Sequence, residues 1–193
     1  MDVTSPAPTE TAQRILDVAE RLVQTHGFNG FSYADVAAEL HVTKASLHYH
    51  FATKAELGAE LIARYHLNFQ RALDRIADDE PDARRRLRRY AELYSGVLRK
   101  DRMCLCGMLA SELSTLPHPM KDGVNRFFDA NERWVAEVLE QGRRSRSLRF
   151  RGAPEVLART LVASLEGAML VARSYGDVAR FDAAAERLLA QIG

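Results

Sequence analysis

Cysteine, proline and glycine are scarce in this chain of 193 residues, which contains 2, 6 and 11 of them. Cys104 and Cys106 are two residues apart and would point in different directions on a helix, so no internal disulfide is expected. A reduced, cytoplasmic setting fits best. The shortage of proline and glycine, together with abundant alanine, leucine, arginine and glutamate, favours a helical protein. No segment alternates polar and apolar residues with β-branched enrichment, so no sheet is predicted.

Long apolar runs are missing as well. The chain has no run of about 18 apolar residues, so no membrane span is expected. Residues 1–10 lack the basic and apolar segments of a signal peptide and indicate a short lead-in. The formal net charge is only +1, and the first 54 residues carry two more acidic than basic side chains. Bulk charge therefore does not by itself indicate a nucleic-acid partner, and any contact with DNA must depend on local geometry.

Apolar residues recur at helical spacing through most of the sequence and predict an all-α chain of about nine helices. The helices are expected near residues 9–26, 33–40, 43–50, 53–76, 82–100, 105–115, 119–144, 154–175 and 177–192. The first three form a small head, and the others form a larger helical bundle. The expected boundary separates a DNA-binding domain, residues 1–53, from an effector-binding and dimerisation domain, residues 54–193.

Residues 27–57 have the pattern of a helix-turn-helix, in which a tight break at His41 and Val42 separates two short helices. The second helix opens with small and polar side chains, which suit the end that enters the major groove. Base edges are within reach of Lys44 and Ser46 in this arrangement. Contacts with phosphate and thymine are expected from His48, Tyr49 and His50. A further phosphate contact is expected from Lys54, at the start of the next helix.

This segment resembles the TetR/AcrR family of transcriptional regulators. The positions that carry the resemblance are Val42, Thr43, Leu47, Tyr49, His50, Phe51, Lys54 and Leu57, whereas His48 stands where the family usually has tyrosine. The residues that the resemblance places against DNA are Ser32, Tyr33, Thr43, Lys44, Ala45, Ser46, His48, Tyr49, His50 and Lys54. It also implies a repressor that binds double-stranded, pseudo-palindromic operator DNA as a homodimer. The recognition helices of the two copies would lie about 34–36 Å apart or somewhat more.

The resemblance further implies that the last two helices form the dimer interface and that the middle helices enclose an effector. Apolar stripes support the interface, with Leu157, Leu161, Leu165, Ala168, Met169 and Ala172 on one helix and Phe181, Ala184, Ala185, Leu188, Leu189 and Ile192 on the other. The same stripes also suit the core of a single copy. The candidate lining of a pocket for a small, apolar or aromatic effector is Met103, Cys104, Met108, Glu112, Phe127, Phe128, Asn131, Trp134 and Met169.

Three alternatives are weighed against this interpretation. An enzyme is disfavoured, because no nucleophile–base pair, phosphate loop or metal set occurs. No cofactor is expected, and the spacing of Cys104 and Cys106 does not suit a metal site. A thiol sensor remains open, since cationic residues and a helix start flank these cysteines. A ligand carrier with a vestigial DNA head also remains open.

Overall fold

Nine α-helices and one short 3-10 helix make up residues 9–192, the part of the chain that the computed structural model describes. The α-helices are α1 (Glu10–His26), α2 (Tyr33–Leu40), α3 (Lys44–His50), α4 (Lys54–Asp79), α5 (Ala83–Leu98), α6 (Leu105–Ser111), α7 (His118–Ser145), α8 (Pro154–Ser174) and α9 (Val178–Leu189). This confirms the prediction of an all-helical chain with a three-helix head and a larger helical part. Of the lead-in expected over residues 1–10, residues 1–8 lie outside the described residues, and α1 already begins at Glu10 with Thr9 as its cap.

Side-chain caps determine where many of these helices begin. The hydroxyl of Thr43 accepts a hydrogen bond from the backbone N–H of Ser46, and the hydroxyl of Thr53 accepts one from Glu56. Each such cap satisfies a backbone donor that the first helical turn leaves free and contributes about 1 kcal/mol. Further caps come from Thr9, Ser32, Asp82 and Asp177.

The head packs α1, α2 and α3 around a shared apolar core. Leu47 of α3 and Val36 of α2 are fully buried, together with Ile15 of α1. His41 adopts a left-handed conformation, with φ 55°, and turns the chain between α2 and α3. The two short helices are thereby fixed at an angle, with one side of α3 left outside the core.

The larger part of the molecule is built from α4 to α9. An aromatic cluster fills its centre, where Phe69 of α4 packs against Tyr90 and Tyr94 of α5 and Phe127 of α7. Helix α4 has 26 residues, and its rise of 1.5 Å per residue makes it about 39 Å long. It begins beside the head and packs against α1 as well as α5, α6 and α7. Within residues 9–192, no helix has the combination of length and apolar character needed to cross a membrane.

The helix predicted over 105–115 is shorter than expected. Helix α6 ends at Ser111, and a 3-10 helix covers Leu113–Thr115. Glu112 lies between them with φ −104° and ψ 11°, outside the helical region. This break directs its side chain towards the head, a position with consequences for the functional site.

Candidate DNA-binding helix and effector cavity

Helix α3 presents an exposed polar face to solvent. Its buried anchor is Leu47, whereas Lys44, Ala45 and His48 are exposed and Tyr49 is 86% exposed. An aromatic side chain so exposed on a monomer surface is available for contact with a partner. No acidic residue occurs between Lys44 and His50, so this face carries only neutral and basic groups.

The excess acid of the head lies on α1 and α2, and much of it is neutralised. Arg64 of α4 forms 2.7 Å ion pairs with Asp17 and Glu20 of α1. Arg21 pairs with Glu39 of α2. The acidic balance of the sequence is therefore not a property of the α3 surface.

The remaining candidate DNA contacts surround this face. Thr43 is exposed, with its oxygen engaged in the cap, and Ser46 and His50 are half-buried beside the exposed positions. His48 uses Nδ1 to donate to the carbonyl oxygen of Ala52, at 3.1 Å, which leaves Nε2 directed elsewhere. Ser32 is exposed, but its hydroxyl is held in a capping box with Asp35.

Two residues expected on the DNA backbone are used inside the protein, which corrects those predictions. Tyr33 is only 8% exposed, and its hydroxyl donates to the carbonyl oxygen of Phe51 at 2.8 Å. The ammonium of Lys54 donates to the carbonyl oxygens of Phe28 and Phe31 and lies 4.5 and 4.2 Å from their ring centroids. These four contacts satisfy the ammonium within the head, and burial lowers the pKa of Lys54.

An apolar cavity of about 370 Å³ lies between α6, α7 and α8. Three of the residues predicted to line a pocket do line it: Met103, Met108 and Phe128. It opens to the surface beside the exposed residues Ala163, Gly167 and Leu170 of α8. Two larger clefts lie on the outside of the molecule. The cleft on α7–α8, of about 540 Å³, is lined mainly by charged side chains, and the cleft on α5–α9, of about 560 Å³, is lined by charged and uncharged side chains in equal number. The apolar lining makes the smaller cavity the better candidate for binding a small apolar molecule.

Most of the other residues predicted for the pocket form its surrounding core. Phe127 is fully buried in the aromatic cluster, Trp134 stacks on Tyr90 at 5.6 Å, and Asn131 donates to the carbonyl oxygen of Phe127. Cys104 and Met169 are buried behind the cavity, where the Cys104 N–H contacts the Met169 sulfur at 3.4 Å. Those five side chains support the wall rather than form its surface.

Glu166 of α8 brings a carboxyl group to the cavity. Each of its oxygens exposes less than 1 Å² and has no hydrogen-bond partner among the described residues. Burial raises its pKa to about 7, and the adjacent Cys104 thiol offsets this only in part. Gly107 makes room for the carboxyl, because a Cβ at that position would lie 2.3 Å from Glu166 Oε2.

The two cysteines are enclosed rather than exposed. Cys104 and Cys106 are 1% and 0% accessible, and burial raises the pKa of both thiols well above the usual value. The nearby charge of Glu166 acts in the same direction. Because a protonated, inaccessible thiol is a poor nucleophile, this environment does not favour a thiol sensor.

The Glu112 side chain joins α6 to the head and does not line the cavity, which corrects its predicted role. Its Oε2 accepts a 2.6 Å hydrogen bond from the backbone N–H of Phe28. Gly27 permits this approach, since its φ is 83° and a Cβ would lie 2.6 Å from Glu112 Oε1.

A second contact with the head comes from α8, where Arg173 donates to the carbonyl oxygens of Gln24 and Thr25 at the end of α1. Arg173, which the sequence interpretation did not include, also contacts the sulfur of Met108 in the cavity wall at 3.5 Å.

Helix α8 has an exposed apolar face that differs from the predicted interface stripe. The predicted residues Leu161, Leu165 and Met169 are buried within the single chain. Val156 and Leu170, by contrast, are each 61% exposed. The same holds for the predicted stripe at the end of the chain, where Phe181 and Ala185 of α9 and the following Ile192 are buried. Ala184 of that stripe is exposed. The apolar stripes read from the sequence therefore belong mainly to the core.

A helix-turn-helix head joined to a helical body with its own cavity is the architecture of a DNA-binding regulator. A family model described as bacterial regulatory proteins of the tetR family matches residues 15–61, and one described as a tetracyclin repressor-like C-terminal domain matches residues 83–188. The chain belongs to the TetR family. It is therefore a DNA-binding transcriptional regulator rather than an enzyme.

Individual relatives are similar over most of their length. The HTH-type transcriptional repressor DhaR of Mycobacterium sp. (strain GP1) is 27% identical over 169 residues, or 85% of this chain and 83% of that protein. The nucleoid occlusion factor SlmA of Photobacterium profundum is 27% identical over 96% of this chain and 97% of its own. The crystal structure of a TetR-family regulator from Agrobacterium tumefaciens is 31% identical and has a TM-score of 0.93, covering 96% of this chain and 99% of that one.

Proposed function

We propose that the protein is a homodimeric repressor that binds a pseudo-palindromic operator and leaves it when a small molecule enters the cavity between α6, α7 and α8. The observation that carries this proposal is the outer face of α3. A short helix anchored by Leu47 presents Lys44, Ala45 and Tyr49 to solvent on a surface without acidic groups. Similarity to the repressor DhaR supports repression as the direction of regulation.

Contacts with DNA come from the exposed side of α3 and from its flanks. Lys44 and Ser46 face base edges, and Tyr49 and His50 contact phosphate and the thymine methyl group. Thr43 and Ala45 lie close to the DNA at the N-terminal end of the helix. His48 reaches a phosphate through Nε2, since its Nδ1 is bonded to Ala52. Ser32 lies near the backbone at the start of α2.

Dimerisation uses the exposed side of α8 together with α9. Val156, Ala163, Gly167 and Leu170 follow one another at helical spacing along this side. A Cβ at Gly167 would meet nothing within 4 Å in the single chain, so a second copy can approach closely there. An isologous contact of this kind produces the two-fold symmetry that a palindromic operator requires.

The effector acts through α6 and α8, which border both the cavity and the head. Met108 lines the cavity and contacts Arg173, which holds the end of α1. Glu112, at the end of α6, accepts a hydrogen bond from the backbone of Phe28, in the turn that follows α1. An effector that shifts α6 or α8 therefore moves the head and changes the spacing of the two α3 helices. Helix α4 assists, since Arg64 joins it to α1. The effector needs higher affinity for the released conformation than for the DNA-bound one.

Selection of bound duplexes from a random pool tests this proposal. The expected result is enrichment of an inverted repeat whose affinity falls steeply as salt is added, because phosphate contacts release counterions. A chain that enriched no sequence above the random pool, while remaining folded and dimeric, would not be an operator-binding repressor. It would then be better described as a ligand carrier.

A further inference from the structure

We propose that the cavity between α6, α7 and α8 selects a small molecule with an apolar body and one protonated amine, and that Glu166 is the group that receives the amine. This inference rests on the proposed function, because it names the chemical class of the effector in the same cavity. The protein encloses the carboxyl group of Glu166 but supplies no cationic group to neutralise it.

The carboxyl of Glu166 has the Cys104 thiol beside it, which lowers its pKa, but it has no counter-charge within residues 9–192. Neither oxygen accepts a hydrogen bond, and no arginine, lysine or histidine nitrogen in residues 9–192 forms an ion pair with it. Two arginines of the same helix are used elsewhere, since Arg173 is bonded to α1 and Arg159 is paired with Glu132. A buried carboxylate without a counter-charge is unfavourable, and a ligand that supplies the charge removes that cost.

The other residues that line the cavity suit an apolar body but favour neither an anionic ligand nor a neutral apolar one. Met103, Met108 and Phe128 offer apolar and polarizable surface to a hydrocarbon or aromatic body. The two carboxyl groups of the lining, Glu166 and Glu132, disfavour an anionic ligand. A neutral apolar ligand would leave both oxygens of Glu166 unpaired, whereas an ammonium group donates up to three hydrogen bonds.

Among the titratable groups around Glu166, only Glu166 itself is expected to change its protonation state near pH 7. Cys104, Cys106, Tyr65, Tyr90 and Tyr94 are buried, and burial raises the pKa of each above its usual value, so they are neutral near pH 7. Glu132, at the cavity edge, is paired with Arg159 at 3.5 Å. The pKa of Glu166 is about 7. An amine that binds there will stabilise the carboxylate and release part of a proton to the buffer.

Three probes of one skeleton test the inference on the full-length protein without DNA: 3-phenylpropylamine, 3-phenylpropanol and 3-phenylpropionate. Calorimetry at pH 7 should show the amine binding about 10- to 100-fold more tightly than the alcohol, the gain of a charge-assisted hydrogen bond. The carboxylate should bind most weakly. The apparent enthalpy for the amine should change with the ionisation enthalpy of the buffer.

The Glu166→Gln variant should bind the amine and the alcohol with similar affinity and lose the dependence on buffer. The matched control, Glu132→Gln, removes a carboxyl at the edge of the same cavity and should keep most of the preference for the amine. Equal affinities for the amine and the alcohol in the unmodified protein would overturn the inference, whether or not the variants fold. A preference that persisted in Glu166→Gln would overturn it as well.

The operator assay keeps this inference separate from the proposed function. If the selected operator is released by the alcohol but not by the amine, effector-controlled repression is correct and the ligand class is wrong. If the amine binds through Glu166 but leaves DNA affinity unchanged, the ligand class is correct and control by this cavity is wrong.

Discussion

The guanidinium group of Arg173, on α8, donates a 2.6 Å hydrogen bond to the backbone carbonyl oxygen of Thr25, in the last turn of α1. A second bond, of 3.1 Å, reaches the carbonyl oxygen of Gln24. Cationic groups at the C-terminal end of a helix satisfy free carbonyls and interact favourably with the helix dipole. One side chain of the larger helical part thereby fixes the end of the first helix of the head.

Replacing Arg173 should loosen that end of α1. In Arg173→Ala, the amides of the turn after α1 should exchange with solvent about tenfold faster, as expected when about 1.4 kcal/mol of local stability is lost. Hydrogen exchange followed by mass spectrometry measures this. Arg180→Ala is the control, because Arg180 lies over the ring of Tyr175 and not against α1. Unchanged exchange in Arg173→Ala would show that other contacts hold the head.

Lys44→Ala should weaken binding to the selected operator more than binding to random DNA, because Lys44 faces a base edge in the proposed complex. The loss should be about 1–3 kcal/mol and should relax the preference at one base pair of each half-site. Fluorescence anisotropy with the operator and with single-base variants of it measures this loss. Arg151→Ala is the control, because Arg151 is exposed in the connection between α7 and α8, outside the head. An equal loss on every duplex, with a slope of log affinity against log salt that decreases by about one unit, would instead assign Lys44 to a phosphate.

Lys54→Met should destabilise the head, because it removes two hydrogen bonds and the contact with two aromatic rings. The expected loss in the free energy of unfolding is about 2–4 kcal/mol. Urea unfolding at fixed protein concentration measures this loss. Lys100→Met is the control, since Lys100 is exposed and should tolerate the change. A Lys54→Met variant with unchanged stability and weakened DNA binding would show instead that Lys54 contacts DNA, as the sequence predicts.

The stability of the protein should depend on pH through Glu166. Its pKa is raised from 4.5 to about 7 in the folded state, so the folded chain holds this proton more tightly than the unfolded chain. The associated stability is present below pH 4.5 and is lost as the pH rises through 7. Glu166→Gln removes this dependence, so its advantage over the unmodified protein should grow between pH 5 and pH 8, to at most about 3 kcal/mol. Urea unfolding at the two pH values measures the difference, and a constant difference would contradict the assignment.

Leu170→Glu should convert the proposed dimer to a monomer, because it places a charge on the exposed apolar face of α8. Sedimentation velocity at micromolar concentration measures the change in mass. Leu67→Glu is the matched control, since Leu67 is also half-exposed, at 50%, but lies on α4. A Leu170→Glu protein that remained dimeric would exclude this face from the interface.

The order and bounds of the helices were largely predictable from local signals. Ser32, Thr43 and Thr53 mark helix starts through their caps, and Gly27 marks the end of α1. These features depend on a few neighbouring residues, which the sequence displays directly. Helices α5 and α9 end two and three residues before their predicted ends. Helix α6, predicted to run to residue 115, ends where Glu112 forms a contact with a residue 84 positions away in the chain.

The direction of individual side chains was less predictable. Helical spacing identifies an apolar stripe but does not say whether it faces the same chain or a second copy, as Leu161 and Leu165 show. A lysine at a helix start has the same local signature whether it binds a phosphate or, as Lys54 does, two carbonyl oxygens of its own chain. Glu166 looks like an ordinary surface glutamate until the fold encloses it.

The bonds that Glu112 and Arg173 form with the end of α1 and its turn all finish on backbone atoms: the N–H groups of Phe28 and Asn29 and the carbonyl oxygens of Gln24 and Thr25. Every amino acid but proline offers the same backbone groups, so this junction requires glycine at position 27 but depends little on the other side chains that the head carries there. The reading surface of α3 is therefore free to diverge while the connection to the cavity persists. Under the proposed function, a lineage can acquire new target sequences without rebuilding its response to a ligand, and a chimaera with a transplanted head can inherit that response.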